Sequence, residues 1–222
     1  MIEDESSLLQ AGLRELKLQA TSGIVSKLLD YGKFLLEENS RTNLTGARSL
    51  ASFITNQVLD SLAPLPLLDL QDPVIDLGSG GGLPGIPAAI AYPGHHFVLI
   101  EPRAKRVGFL KMAIDRLELY NVLAVKSSGR GPGAATFRAA SGTVLIRALA
   151  PPALALELGL ELLRPGGTLL LYEGRSSHPT SAQKKAAARL GAAEIMVKRV
   201  RVPGLMAARH AWIIKRAKSS LR

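Results

Sequence analysis

Val74-Ile75-Asp76-Leu77-Gly78-Ser79-Gly80-Gly81-Gly82-Leu83-Pro84-Gly85-Ile86-Pro87 is the segment on which the rest of the chain is built. Its first four residues read as a buried strand carrying one acid. The next five read as a glycine-rich turn, and Pro84 marks a helix start. Strand, glycine loop and helix N-terminus together form a nucleotide-binding corner. Glycine permits the sharp turn and lets a ligand lie against bare backbone. Pro84 fits the first helical turn, where a missing N–H costs nothing. A simple capped turn is the alternative, but five glycines among residues 78–85 exceed what a turn needs.

The ligand follows from what the loop lacks. A dinucleotide fingerprint, Gly-x-Gly-x-x-Gly, would place its third glycine at Leu83. A phosphate-cradling loop needs Gly-Lys-Ser/Thr, and no lysine lies between residues 73 and 104. A carboxylate at Asp76 repels pyrophosphate and suits a cation. A second acid, Glu101, ends the apolar run Phe97-Val98-Leu99-Ile100, 25 residues after Asp76, where an acid would bind ribose hydroxyls. S-adenosyl-L-methionine, with its sulfonium and ammonium and no phosphate, is the expected cofactor. Asp76, Gly78, Ser79, Gly80, Gly82 and Glu101 are the residues expected to bind it.

Outward from this corner, strands and helices alternate. Strands are expected at 74–77, 97–100, 122–125, 143–146 and 168–172, with helices near 84–91, 103–118, 151–163 and 179–190. Arg164-Pro165-Gly166-Gly167 reads as a turn before the fifth strand. Two extended runs, Glu194 to Val202 and His210 to Lys215, then meet across Pro203-Gly204-Leu205 with no helix between them. A mostly parallel sheet closed by a C-terminal antiparallel hairpin is the Rossmann-like α/β layout of class I S-adenosylmethionine-dependent methyltransferases. Residues 1–72 read as an N-terminal helical extension packed on the core, and 73–222 as the methyltransferase domain. In the extension, apolar stripes at Leu8/Leu9/Leu13/Leu16, Leu28/Tyr31/Leu35 and Leu50/Phe53/Ile54/Val58 call for three helices, with a polar loop from Glu38 to Gly46.

Composition narrows the class. The chain has 222 residues, is 47% hydrophobic and contains no cysteine. Disulfides, cysteine zinc sites and cysteine nucleophiles are therefore closed. No apolar run is long enough to span a membrane, and the acidic, polar start does not read as a signal peptide. A cytoplasmic monomer without a metal is expected; His95-His96 have no metal-ligand spacing and read as an exposed turn. The charge is lopsided. Residues 1–72 carry 6 Lys/Arg against 10 Asp/Glu, whereas 73–222 carry 22 against 8. So basic a domain expects a polyanion, above all nucleic acid. Lys105, Arg106 and Lys111 on one helix, Lys184, Lys185 and Arg189 on another, and the basic hairpin and tail are the candidate phosphate contacts.

Methyl transfer is an in-line displacement in which the protein mainly aligns donor and acceptor. Without cysteine, covalent attack on a pyrimidine is closed. The sequence after the fourth strand, Ile146-Arg147-Ala148-Leu149-Ala150-Pro151-Pro152, has no acid or amide before its prolines, as amino-group methylation would need. A ring nitrogen with a free lone pair, such as guanine N7, fits so few catalytic groups. Arg147, where the fourth strand meets the cleft, is the candidate catalytic residue, positioning cofactor or substrate.

These residues carry a resemblance. Asn43-Leu44-Thr45, Leu59-Asp60-Ser61-Leu62, the Ile75–Pro87 run, Lys105-Arg106-Val107-Gly108-Phe109-Leu110, Arg147-Ala148 and Arg209-His210 resemble the glucose-inhibited division protein B (GidB, RsmG) family. The resemblance covers roughly residues 20 to 216, and Gly82-Leu83-Pro84-Gly85-Ile86-Pro87 is its most specific part. It implies an S-adenosylmethionine-dependent methyltransferase acting on guanine N7 of small-subunit (16S) ribosomal RNA, with the RNA or the 30S particle as partner. It also implies that Gly78 and Leu83 contact the cofactor, that Gly129-Arg130 flank its adenine, and that Arg147 lines the site. Four places depart from the family pattern. Asn56-Gln57 replace a basic residue and His, Arg130 replaces an acid, Gly142 or a near neighbour replaces an Asp, and Glu173-Gly174 replace a Lys-Gly, all four expected at the mouth of the site. They motivate the alternatives: an RNA- or ribosome-binding protein that keeps the fold without turnover, or a methyltransferase for another RNA or a small molecule.

Overall fold

The computed structural model describes residues 4–129, 135–173 and 178–218. Seven strands form one sheet: β1 (Val74–Leu77), β2 (Phe97–Glu101), β3 (Val122–Lys126), β4 (Ser141–Arg147), β5 (Leu163–Glu173), β6 (Ala192–Val200) and β7 (Arg209–Arg216). Their order across the sheet is β3-β2-β1-β4-β5-β7-β6. β1 to β5 run parallel, and β7 is antiparallel to both β5 and β6. The order reverses at β1 and β4, so the crevice beyond their C-terminal ends is the topological switch point where ligands bind in open α/β sheets.

Alternation within the strands gives the sheet two apolar faces. On one, Val74, Phe97, Leu99, Leu145, Leu170, Ala211 and Ile213 join a single cluster with α5 (Gly85–Ala91), α6 (Ala104–Arg116) and the whole N-terminal segment. On the other, Ile75, Val98, Val144, Ile146, Leu169, Leu171, Trp212 and Ile214 pack on α7 (Pro152–Leu162) and α8 (Ser181–Arg189). Trp212 is fully buried, as expected of a core residue in the last strand.

In the N-terminal segment, α1 (Glu5–Glu15) precedes α2 (Ser22–Thr42), which Thr21 caps by accepting from the Ile24 N–H. α2 runs further than the sequence indicates, through Glu38–Thr42, and stops at left-handed Asn43 (φ 49°). Asn39 explains the extension. From the last helical turn its Oδ1 accepts the N–H groups of Leu44 (2.7 Å) and Thr45 (2.8 Å), so the polar run closes its own helix instead of forming a free loop. The third stripe forms α3 (Leu50–Phe53), a π-helical stretch (Ile54–Leu59) and α4 (Asp60–Leu62) in unbroken succession. The π-turn was not legible from the stripe's spacing; such widenings concentrate at functional sites.

Two further details differ from the expected pattern. Arg164–Gly167 is a bulge inside β5: Ser141 pairs with Leu163, yet Thr143 pairs with Thr168. Gly142, inside β4, has no room for a side chain, because a Cβ there would lie 2.4 Å from the Gln71 carbonyl oxygen. It also lies at the N-terminal end of β4, away from the crevice, whereas the sequence placed its substitution at the site mouth. His95 and His96 both pair with Asp72 (2.9 and 3.3 Å). Among the described residues no cluster of three or more His, Asp or Glu is placed to hold a metal, and no helix is long and apolar enough to cross a membrane.

Candidate active site

The glycine loop sits at the crevice between β1 and α5. The N–H groups of Gly78 and Ser79 donate to the Ile100 carbonyl, tying the loop to β2. Ser79 Oγ donates back to the Asp76 carbonyl (2.9 Å). Gly78, Gly80 and Gly82 all have positive φ (79°, 57° and 95°), which L side chains rarely adopt. Their surroundings differ. A Cβ at Gly78 would strike Leu149 and one at Gly82 would strike Ile86, so both glycines serve packing. A Cβ at Gly80 would meet only Arg106 Nη1 at 3.6 Å and the Gly78 carbonyl oxygen at 3.9 Å. Gly80 thus presents open backbone to the crevice. Its N–H donates to Glu101 Oε2 (2.9 Å), while Oε1 of the same carboxylate accepts from the Arg103 N–H (2.9 Å).

Asp76 lies deeper. Its side chain is fully buried, Oδ2 accepts from the Gly85 N–H at the start of α5 (2.9 Å), and Oδ1 has no partner. Burial pushes its carboxyl up to about 7, and the Gly85 hydrogen bond pulls in the opposite direction. The loop is also held from below. Tyr31 on α2 donates its hydroxyl to the Gly81 carbonyl (2.6 Å), and Leu35 and Leu44 close on Gly81. Gly129 (φ 74°) backs onto Leu77, leaving 2.7 Å where a Cβ would stand. Leu83 packs on the core beside α5. Arg130 lies outside the described residues.

Arg147 ends β4 and reaches into the N-terminal segment. Its guanidinium pairs with Asp60 Oδ2 (2.9 Å) and donates to Ser61 Oγ (2.9 Å), Gln57 Oε1 (2.9 Å) and the carbonyls of Asn56 and Gln57. Asp60 takes a second arginine, Arg209 of β7, on Oδ1 (2.9 Å). Tyr172 donates to the Ser61 carbonyl (2.7 Å). After Arg147 the chain turns through left-handed Ala148 (φ 51°), an uncommon conformation for alanine, which swings Leu149 over Gly78.

Beside this network opens a cavity of about 450 Å³, lined in part by Asp60, Arg147, Tyr172, Glu173, Arg209 and His210. The sequence motifs around Asp60, Arg147 and Arg209 thus converge on one wall. The sequence assigned no role to Tyr31, Tyr172 or Asp60. Tyr31 fell on an apolar stripe, where it is indistinguishable from core. Arg106 leans over the loop and donates to the Asn43 carbonyl (3.3 Å), whereas Lys105 beside it is exposed.

The site's residues suit S-adenosyl-L-methionine on two grounds: the bare backbone of Gly80, and an acid at the tip of β2 with lone pairs to spare for hydroxyl donors. The comparisons with known proteins bear on the fold and on the family. Aeropyrum pernix fibrillarin, solved with natively bound S-adenosyl-L-methionine, superposes with a TM-score of 0.51 at 17% identity, over 70% of this chain and 72% of that one, a likeness of fold. The ribosomal RNA small subunit methyltransferase G of Coxiella burnetii (strain Dugway 5J108-111) is 34% identical over 95% of this chain and 98% of its own. That of Xanthomonas oryzae pv. oryzae (strain MAFF 311018) is 35% identical over 96% of each. The family described as rRNA small subunit methyltransferase G, GidB, matches residues 24–209. The fold is that of a class I methyltransferase, and the chain belongs to the rRNA small subunit methyltransferase G family.

Proposed function

We propose that this protein is an S-adenosyl-L-methionine-dependent methyltransferase that methylates guanine N7 in small-subunit ribosomal RNA. The observation that carries the reading is the pairing of open Gly80 backbone with the Glu101 carboxylate at the crevice, in a chain of this family. The cofactor, when bound, supplies an electrophilic methyl group on a sulfonium. Gly78, Ser79, Gly80, Gly82, Leu83 and Gly129 shape its bed, and Glu101 accepts hydroxyl donors there. Asp76 acts through the loop, fixing the start of α5. Arg147 is a positioning residue: it locks the α3–α4 segment against β4 and so holds the cavity wall. No general base is required, since N7 offers a free lone pair and the catalytic demand is alignment.

The excess of Lys and Arg beyond residue 72 supports an RNA partner, with Lys105 an exposed phosphate contact. The reading takes residues 73–222 as the methyltransferase domain, residues 1–72 as the support of its loop, and a cytoplasmic monomer as the working form. The test is methyl transfer from labelled S-adenosyl-L-methionine to small ribosomal subunits from a strain lacking this gene, followed by base mapping. Label on guanine N7 is expected. Cofactor binding without transfer would replace the reading with a binding role.

A further inference from the structure

Glu173 ends β5 at the cavity and lies opposite His210 in the β5–β7 register. It is half-buried, and among the described residues its carboxylate has no hydrogen-bond or ion-pair partner. Burial alone raises its carboxyl above the usual range. A free acid in a cavity costs desolvation, so a ligand that donates hydrogen bonds is the natural way to offset it. The charge balance narrows the ligand further. Arg147 and Arg209 are both spent on Asp60, and Glu173 cancels the positive charge that remains. A cavity so balanced offers phosphate no net attraction, and its free carboxylate accepts a neutral group rich in N–H donors. It also has the volume of a small-molecule site.

We propose that Glu173 is the base-reading residue of this cavity, its two carboxylate oxygens accepting N1–H and N2–H from the Watson–Crick edge of an extruded guanine. This rests on the methyltransferase reading above. A purine presenting N7 for methylation leaves its Watson–Crick edge free, and flipped bases are read on that edge. Guanine offers two adjacent donors there, matching the fork of a carboxylate. Adenine offers an acceptor at N1 and is repelled. The resemblance implies Lys-Gly at this place, and this chain presents a carboxylate there instead.

The experiment measures binding of guanosine, inosine and adenosine to the full chain by saturation-transfer NMR, beside transfer to small subunits, for the wild type and Glu173→Gln. The wild type should prefer guanosine over inosine, which lacks the N2 amino group, by about tenfold. Glu173→Gln should erase that preference, admit adenosine, and lower kcat/KM for transfer by on the order of tenfold to a hundredfold. Its affinity for S-adenosyl-L-methionine by calorimetry should not change, which a general structural defect would not spare. Unchanged nucleoside preference in Glu173→Gln, or faster transfer by Glu173→Lys, overturns the assignment. Guanosine preference that depends on Glu173, in a protein that methylates no small subunit, upholds the base reader and removes the substrate reading instead.

Discussion

Asp76 serves the loop by what it accepts. Its folded carboxyl titrates near 7 against an ordinary 3.8, so the folded chain holds a proton that the unfolded chain releases. Stability therefore falls as pH rises between about 4 and 7 and levels off above. Asp76→Asn keeps an oxygen for the Gly85 N–H and removes the titration. Its Tm relative to wild type should climb across that pH range in thermal denaturation, and a constant offset would show that residue 76 is not the titrating group. The sequence placed Asp76 correctly within a strand and took its charge as facing the ligand. Nothing in four consecutive letters distinguishes an acid at the rim from one beneath it. Likewise Gly78, Gly80 and Gly82 read alike, and only their neighbours in space, Leu149 and Ile86 against open crevice, separate packing glycines from the one a ligand can lie on.

At the scale of elements, the joint between α3–α4 and the sheet depends on one carboxylate. Asp60 binds Arg209, 149 positions away, and Arg147. Removing it leaves two guanidinium groups facing each other with half-buried surroundings. Asp60→Ala should cost about 3 kcal/mol in urea denaturation and reduce methyl transfer. A loss below about 1 kcal/mol, the scale of an exposed pair, would show that the joint holds without it. Strand positions, the closing hairpin and the helical stripes were legible because periodicity is local. The π-turn, the Arg164–Gly167 bulge and the continuation of α2 were not. The continuation of α2 follows from Asn39, whose side chain turns back on its own backbone, and the bulge shows only in the pairing with β4, remote in sequence.

For the whole molecule, the topology followed from the order of elements, but the depth of the N-terminal segment's involvement did not. Leu28, Tyr31, Leu35, Phe53, Leu59 and Leu62 are fully buried in the same cluster as β4, β5 and β7. Each such burial contributes roughly 1.5–3 kcal/mol. Residues 73–222 expressed alone should therefore show no cooperative unfolding transition and no cofactor binding by calorimetry. A sharp transition from that fragment would show that the extension is dispensable. Gly142 has a different kind of consequence. With the Gln71 carbonyl oxygen 2.4 Å from where its Cβ would stand, the position admits no side chain while the backbone of Gln71 stays where it is. The segment around Gln71 must move first, so residue 142 acts as a keyhole between two backbones, and any larger residue there reports on whether that segment can yield.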